Sequence, residues 1–238
     1  MSYKYLFGPV NSRRLGISLG VDMVPFKTCS LNCVYCECGD TTVLSCDRKE
    51  YVSFDALKSE LTDYLAKNPK LDYVTFAGSG EPTLNSCLGR IVNFVKTSYP
   101  QYKTALLTNG TLFYDPQVRR DCLHVDLICP SLDAVSDEAF AAVNRPDRAL
   151  DNKKVIDGLI QFAHEYKGVM WVEVFIVPDI NDTESELKLF KEMLTKIQPQ
   201  RVQLNSLDRP GACDWVTPVL PQKLSYIAQY LSPLPVEI

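Results

Sequence analysis

The sequence contains no long hydrophobic run and no cluster of basic residues. No apolar stretch approaches the roughly 20 residues that a helix needs to span a bilayer, and residues 1–5 carry no apolar signal segment. No run of Lys and Arg exceeds three residues, and the net charge is -4. Because nucleic-acid binders gain affinity from clustered basic residues, this balance argues against a general nucleic-acid binder. We expect a cytoplasmic protein that makes no membrane contact.

Histidine is also scarce, whereas cysteine is not. The two histidines, His124 and His164, have no ligand spacing to the thiols, and the chain has no second C-x2-C pair of the kind found in zinc ribbons. The nine cysteines are odd in number and irregularly spaced, unlike a secreted disulfide framework. We therefore expect reduced thiols or metal ligands.

Three of the cysteines form a compact motif. Cys29, Cys33 and Cys36 have the spacing C-x3-C-x2-C, with the aromatic residue Tyr35 before the last. Thiolates select zinc or iron-sulfur clusters, and structural sites of both kinds usually take four protein ligands. Three ligands leave one position open for chemistry. Two alternatives remain, a zinc-stabilised binding module and an electron-transfer iron-sulfur protein with a fourth cysteine ligand.

Alternating apolar segments and helical patterns predict an α/β fold. Six segments are typical of strands, at 10–22, 73–77, 104–107, 125–129, 169–177 and 202–204. The helical patterns between them include three with clear N-cap residues, Ser53, Asp115 and Thr183. Such long crossovers require parallel strand pairing. Six units are too few for an eight-unit barrel, so we predict an open (β/α)6 partial TIM-like barrel, with a doubly wound sheet as the alternative.

Polar residues and glycines follow the predicted strands directly. The cysteine loop, residues 25–40, follows the first predicted strand. Active groups of parallel α/β folds lie at the C-terminal strand ends, so these residues should surround the cysteine loop. They are Gly78, Ser79, Gly80, Glu81, Asn109, Ser131, Asp133, Asn181 and Asn205. The asparagines could instead be turn residues. Arg13 and Arg14, near the start of the first strand, could point into the site or to solvent.

The cysteine motif resembles the signature of the radical S-adenosylmethionine (SAM) superfamily. The resemblance implies that Cys29, Cys33 and Cys36 hold three irons of a 4Fe-4S cluster and that the fourth iron binds SAM. It also implies reductive cleavage of SAM to a 5'-deoxyadenosyl radical, which abstracts hydrogen from a substrate, with the difficult chemistry carried by the cofactors. A flavodoxin or ferredoxin would supply the electron.

The same resemblance implies the SAM-binding residues. Gly78–Glu81 is similar to the superfamily's Gly-Gly-Glu element, whose backbone binds the SAM amino group, although this chain has a serine and a glycine where the family has two glycines. Glu81 is expected to order its loop rather than act as an acid or base. Ser131 and Asp133 match by position the polar residues that contact the SAM ribose or carboxylate, and Asn109 is a further lining residue.

Within the superfamily, the chain resembles a group of compact wyosine-synthesis-like Fe-S oxidoreductases. The likeness rests on segments 7–16, 35–39, 78–84 and 204–211. It implies one core domain over residues 1–238, with a C-terminal cap at 212–238. The substrate stays open between a tRNA base, a peptide and a small molecule. Three loop cysteines could hold an auxiliary cluster or be free thiols, and three others are expected in the core; these are Cys38, Cys46 and Cys213, and Cys87, Cys122 and Cys129 respectively.

Overall fold

The fold is built on one eight-stranded sheet, in a computed structural model that describes residues 3–12 and 14–238. The strands are β1 (Leu6–Ser12), β2 (Gly16–Val21), β3 (Thr28–Cys29), β4 (Val43–Leu44), β5 (Tyr73–Phe76), β6 (Lys103–Thr108), β7 (Leu127–Pro130), β8 (Val169–Phe175), β9 (Arg201–Asn205) and β10 (Val236–Glu237). The helices are α1 (Phe54–Leu65), α2 (Leu88–Ser98), α3 (Pro116–Cys122), α4 (Asp137–Val143), α5 (Asn152–Glu165), α6 (Glu184–Ile197) and α7 (Pro221–Leu231). A short 3-10 turn covers Pro82–Leu84.

Six strands of the main sheet form the predicted parallel core. The sheet order is β1-β2-β5-β6-β7-β8-β9-β10, and each pair from β2 to β9 is parallel. Because β1 and β10 lie at opposite edges, the sheet is open. The prediction of a partial (β/α)6 barrel with parallel strands is confirmed.

The two edge strands are features that the sequence reading missed. The predicted first strand began at residue 10, but residues 10–12 belong to β1, which pairs antiparallel with β2. A turn separates the two strands. In this turn Ser12 Oγ accepts the N–H groups of Arg14 and Leu15, and Gly16 adopts a φ of 67°. β1 tolerates Pro9 because an edge strand leaves some N–H positions unpaired. β10 pairs parallel with β9 and extends the other edge.

The helices begin at the predicted caps. The side chains of the predicted N-cap residues accept a backbone N–H from the first turn in each case, at Ser53, Asp115 and Thr183. One detail differs from the predicted capping box, in which the Glu186 side chain would bond back to the cap residue. The Glu186 carboxylate instead accepts the N–H groups of Val135 and Ser136, and so ties α6 to the segment after β7.

The strand side chains divide into two faces. Residues such as Val74 and Ile128 face the helices and are fully buried in the main hydrophobic core. Ala105, Leu127 and Cys129 form a smaller apolar cluster on the opposite face of the sheet. Cys87, Cys122 and Cys129 are buried, as the sequence predicts. Among the described residues, no helix has the length and apolar character required to cross a membrane.

Candidate active site

The cysteine loop lies at the C-terminal edge of the sheet, directly after β2. Cys29 is in β3, which pairs with β4. The N–H of Val34 donates to the carbonyl of Val143, in the last turn of α4, at 2.9 Å. The loop is therefore anchored by backbone hydrogen bonds on two sides.

Each sulfur atom of the triad accepts at least one N–H hydrogen bond. The donors are Leu31 N and Asn109 Nδ2 to Cys29 Sγ (3.5 Å each), Asn144 Nδ2 to Cys33 Sγ (3.3 Å) and Lys27 Nζ to Cys36 Sγ (3.1 Å). Donors aimed at sulfur stabilise thiolate ligands and tune the cluster that they hold. The donor set thus fits a metal centre with sulfur ligands.

Burial dominates the acid-base chemistry of Cys29 and Cys33. It raises the pKa of Cys29 to about 12, and the nearby Glu81 adds to the shift. Burial also raises the pKa of Cys33, where Asp133 adds to the shift. Without a metal, both thiols keep their protons at neutral pH. Because a metal displaces the proton from a thiol that coordinates it, these two residues would bind a metal as thiolates.

Three thiolates are a donor set that suits an iron-sulfur cluster. In a tetrahedral zinc site the sulfurs lie about 3.8 Å apart, because each Zn–S bond is about 2.3 Å long. In the part of the chain that the structure describes, no three His, Cys, Asp or Glu side chains converge on one ion position. A 4Fe-4S cluster needs no such convergence, since each thiolate binds a different iron.

The segment Gly78–Glu81 packs directly against the cysteine loop. The N–H of Glu81 donates to the carbonyl of Thr28 at 3.0 Å. A Cβ atom on Gly80 would lie 2.1 Å from the same carbonyl oxygen, so only glycine fits there. Ser79 is held by Asp22, whose carboxylate accepts its hydroxyl at 2.9 Å. These three constraints hold the Gly78–Glu81 backbone beside the cysteine loop and the end of β2.

Glu81 is a buried acceptor at the centre of a hydrogen-bond network. Its carboxyl oxygens accept from Thr83 N (3.0 Å), Thr83 Oγ1 (2.6 Å), Thr108 Oγ1 (2.6 Å) and Asn109 N (2.7 Å). Burial raises the pKa of Glu81, and these hydrogen bonds oppose the shift. Because Asn109 in turn donates to Cys29 Sγ, Glu81 reaches the triad through that asparagine.

Asp133 connects the end of β7 to the cysteine loop. Its carboxylate accepts from Tyr35 Oη (2.5 Å), Asn144 Nδ2 (3.0 Å) and Phe175 N (2.9 Å). The rings of Tyr35 and Phe175 stack with centroids 3.9 Å apart. Burial raises the pKa values of Asp133 and Tyr35. These contacts fix the aromatic residue of the cysteine motif between β7 and β8.

Three predicted residues line a small cavity next to this network. Ser131 follows β7, donates its N–H to the Thr108 carbonyl at 3.0 Å and forms an isolated parallel bridge with Glu173. Ser131, Asn109 and Asp133 line the same cavity, whose volume is about 20 Å³. The structure therefore brings the residues predicted after β6 and β7 together at one cavity.

A larger cavity of about 380 Å³ opens beside Cys36. Glu173 projects into it from β8, where it forms an ion pair with Arg14 and accepts from Asn205 Nδ2 at 3.3 Å. Arg14 also donates to Gln203 at 2.8 Å. Arg14 and Asn205 thus lie at this cavity, whereas Arg13 is outside the described residues. The cavity combines charged groups with the Tyr35 and Phe175 rings.

The segment after β9 covers part of the cysteine loop. Cys213 N donates to the Val34 carbonyl at 3.0 Å. A Cβ atom on Gly211 would lie 2.8 Å from the Tyr35 carbonyl carbon and oxygen, so the two backbones touch. Arg209 forms an ion pair with Glu37 at 3.3 Å. This segment therefore forms one wall of the cavity beside Cys36.

The remaining predicted residues have other surroundings. Asn181 is fully buried and closes a turn, since its side chain bonds to Val177 N, the Asp133 carbonyl and the Phe175 carbonyl at 2.7 Å each. Cys38 is exposed beside Cys36, Cys46 lies near Asp147, and Cys213 packs among the apolar residues around Val34. These three thiols therefore lie in three separate environments.

Sequence reasoning missed several residues that contact the triad or its cavity. Lys27 contacts Cys36, Asn144 contacts Cys33, and Glu173 lies in the large cavity. Lys27 carries one available signal, its position within the motif segment two residues before Cys29. Asn144 is 111 residues from Cys33 in sequence, and no local pattern could have joined them.

The chain matches the family model described as the Radical SAM superfamily over residues 23–193. A protein named GTPase Obg from Brachyspira hyodysenteriae is 43% identical over 208 residues, which are 87% of this chain and 30% of that protein. A UPF0026 protein from Methanocaldococcus jannaschii is 35% identical over 214 residues, 89% of this chain and 66% of that protein. The chain thus spans under a third of the first relative and about two thirds of the second.

Solved structures share this fold at low sequence identity. A radical SAM methyltransferase from Sphaerobacter thermophilus gives a TM-score of 0.71 at 16% identity, covering 92% of this chain and 65% of that one. TYW1 with a lysine-pyruvate adduct bound gives 0.65 at 13%, covering 92% and 74%. Streptococcus suis SuiB bound to SAM gives 0.64 at 12%, covering 92% and 49%. At these identities the likeness establishes the fold alone.

The family match includes the cysteine loop and the strand ends from Gly78 to Asn181, which the fold gathers at one edge of the sheet. It confirms the superfamily that the cysteine motif indicates. The chain belongs to the radical SAM superfamily, a family of enzymes whose cofactors are a 4Fe-4S cluster and SAM.

Proposed function

We propose that this chain binds a 4Fe-4S cluster through Cys29, Cys33 and Cys36 and uses it to cleave SAM. The observation that carries the proposal is the set of three part-buried sulfurs at the end of β2, each accepting an N–H hydrogen bond. When bound, the cluster would supply the electron that cleaves SAM to methionine and a 5'-deoxyadenosyl radical, which abstracts hydrogen from the substrate.

For SAM we propose a site on the loops beside the triad. Gly78–Gly80 would present its backbone to the SAM amino group, because glycine permits a close approach. Asn109 and Ser131 would contact the rest of the cofactor from the small cavity that they line. Glu81 and Asp133 would support the site indirectly, since protein donors already engage their oxygens.

We propose that residues 1–238 act as one radical SAM core domain, with residues 212–238 as its C-terminal cap. The contacts of Cys213 with Val34 support a cap that is joined to the cysteine loop. The longer relatives carry additional sequence outside the part that this chain matches.

We propose that the reacting part of the substrate enters the 380 Å³ cavity beside Cys36. Arg14, Glu173 and Asn205 would bind a polar group there, because carboxylates, guanidinium and amide groups recognise hydrogen-bonding partners. A tRNA base, a peptide and a small polar molecule all carry such groups. The reaction would be of the oxidoreductase or transferase type, with a flavodoxin or ferredoxin as electron donor.

Anaerobic reconstitution followed by metal and product analysis tests this function. The wild-type chain should hold about four irons and four sulfides and should release 5'-deoxyadenosine from SAM on reduction. Cys29→Ala, Cys33→Ala and Cys36→Ala should each lose the cluster, whereas the control Cys46→Ala should keep it. A triple Cys→Ala chain that retained the 4Fe-4S spectrum would refute the proposed ligands.

Cys38 provides the one observation that favours a second function. It lies beside Cys36 and could serve as the fourth ligand of an electron-transfer cluster. In that case Cys38→Ala would lose its cluster, and the wild-type chain would show no SAM binding. The zinc-stabilised binding module instead requires a colourless protein with stoichiometric zinc. Iron, sulfide and zinc analysis on one sample separates it from the cluster proteins.

A further inference from the structure

Lys27 is a buried cation in the cysteine loop. The residue is 2% exposed, and its ammonium group donates to Cys36 Sγ at 3.1 Å. Lysine is almost never fully buried unless it is paired, because an isolated buried charge is costly. A protonated thiol carries no charge to pair with it. The contact is therefore most favourable when Cys36 is a thiolate, which is its form as a cluster ligand.

The backbone holds Lys27 in a conformation that favours other residue types. Its φ is 53°, in the left-handed region where glycine, asparagine and aspartate are enriched. The Lys27 carbonyl accepts the N–H groups of Thr42 and Val43 at 3.1 Å each, which fixes this conformation. The preceding side chain, Phe26, points outward and is 67% exposed. The contact of the Lys27 ammonium group with Cys36 gives a reason for a lysine at this strained backbone position.

Buried acidic groups lie near the other two sulfurs. Glu81 and Cys29 both accept hydrogen bonds from Asn109, and Asp133 and Cys33 both accept from the Asn144 amide. Lys27 is the cation that contacts the third sulfur, that of Cys36. Negative charges near a cluster disfavour the addition of an electron, and a positive charge at a short distance in a poorly solvated pocket favours it.

We propose that Lys27 makes the cluster easier to reduce, because its ammonium group stabilises the negative charge that the cluster gains on accepting one electron. This inference rests on the proposed ligation by Cys36. The electron comes from a low-potential donor of the flavodoxin or ferredoxin class, which is oxidised by one electron as the cluster is reduced by one. No bond forms or breaks in this step, and no proton is transferred. Lys27 acts through the sulfur of Cys36 and is a positioning residue.

A redox titration of the reconstituted full chain, followed by electron paramagnetic resonance, tests the proposal. Lys27→Met removes the charge and Lys27→Arg keeps it. Lys70→Met is the matched control, because Lys70 is exposed and precedes β5. It therefore lies at the N-terminal ends of the parallel strands, away from the cysteine loop at their C-terminal ends. Lys27→Met should lower the equilibrium constant for reduction at least tenfold, which is about 59 mV for a one-electron couple. Lys27→Arg should have a reduction potential close to that of wild type, and Lys70→Met should have the wild-type potential.

Iron and sulfide content is measured first in every variant. If Lys27→Met does not load, Lys27→Gln replaces it, because Gln keeps an N–H donor without the charge. An unshifted potential in a loaded uncharged variant overturns the proposal, as does a wild-type potential combined with weakened SAM binding. Failure of both uncharged variants to load, while Lys27→Arg loads, also counts against it in favour of a role in assembly. A wild-type chain without iron would instead overturn the proposed function itself.

Discussion

Glu81 offers a quantitative test of how the site is held together. Glu81→Ala removes the acceptor for four hydrogen bonds, two of them from the backbone N–H groups of Thr83 and Asn109. Hydroxyl donors can rotate to other partners, but these two N–H groups cannot, and each stranded donor costs about 1–3 kcal/mol. We expect a loss of about 4 kcal/mol in the free energy of unfolding, a large share of the ~5–15 kcal/mol of a typical domain.

Urea unfolding of the reduced, metal-free chain measures this loss. With a denaturant dependence of about 3 kcal/mol per molar, the midpoint should fall by about 1.3 M. Glu192→Ala is the control, because Glu192 is exposed and forms a surface ion pair with the next-turn Lys196; little change is expected there. If Glu81→Ala and Glu192→Ala unfolded at the same urea concentration, the network would not stabilise the site as we argue.

The pH dependence of Glu81→Gln tests the same carboxyl group. Because burial raises the pKa of Glu81, the folded chain keeps this proton to a higher pH than the unfolded chain. The contribution of Glu81 to stability is therefore full below the ordinary Glu pKa of about 4.3 and declines as the pH rises through the raised value. The stability of wild type relative to Glu81→Gln should therefore fall as the pH rises above the ordinary Glu pKa. A difference that stayed constant as the pH rises would contradict the raised pKa.

Two further substitutions test individual contacts. Tyr35→Phe removes the hydroxyl that donates to Asp133 but keeps the ring stack on Phe175, so we expect a loss of about 1–2 kcal/mol in urea unfolding. Wild-type stability would mean that this short hydrogen bond contributes nothing. Gly80→Ala forces a Cβ atom against the Thr28 carbonyl, so the loop must move and SAM should bind about tenfold more weakly by calorimetry, a change of about 1.4 kcal/mol. Unchanged SAM affinity with intact iron content would refute the proposed role of this backbone.

The parallel core could be predicted because its signals are local. Apolar strands such as β5 and β8 stand between amphipathic helices, and cap residues such as Thr183 mark where helices begin. β1 gave no such signal, since most of its residues are exposed and Gly8-Pro9 interrupts its apolar pattern. β10 is two residues long and is set by pairing with β9, which no local pattern reports. Edge strands depend on tertiary contacts more than on their own composition.

The part of the candidate site that could be predicted is the part whose residues are close together in the sequence. The triad is recognisable because Cys29, Cys33 and Cys36 lie within eight residues. The groups that hold the triad were not, because the fold brings them from distant segments. Asn144 reaches Cys33 from the end of α4, and Glu173 enters the cavity from β8. The engagement of Asp133 with Tyr35 likewise spans 98 residues.

The backbone contact between Gly211 and Tyr35 joins the segment after β9 to the cysteine loop. Without this contact, the two segments could open to solvent independently. Because Cys213 N also donates to the Val34 carbonyl, opening of the segment after β9 breaks hydrogen bonds of the cysteine loop itself. The two regions should therefore exchange their amide protons as one cooperative unit. A protease that cuts near residue 211 would then report on the cluster, since cluster loss and cleavage would rise together.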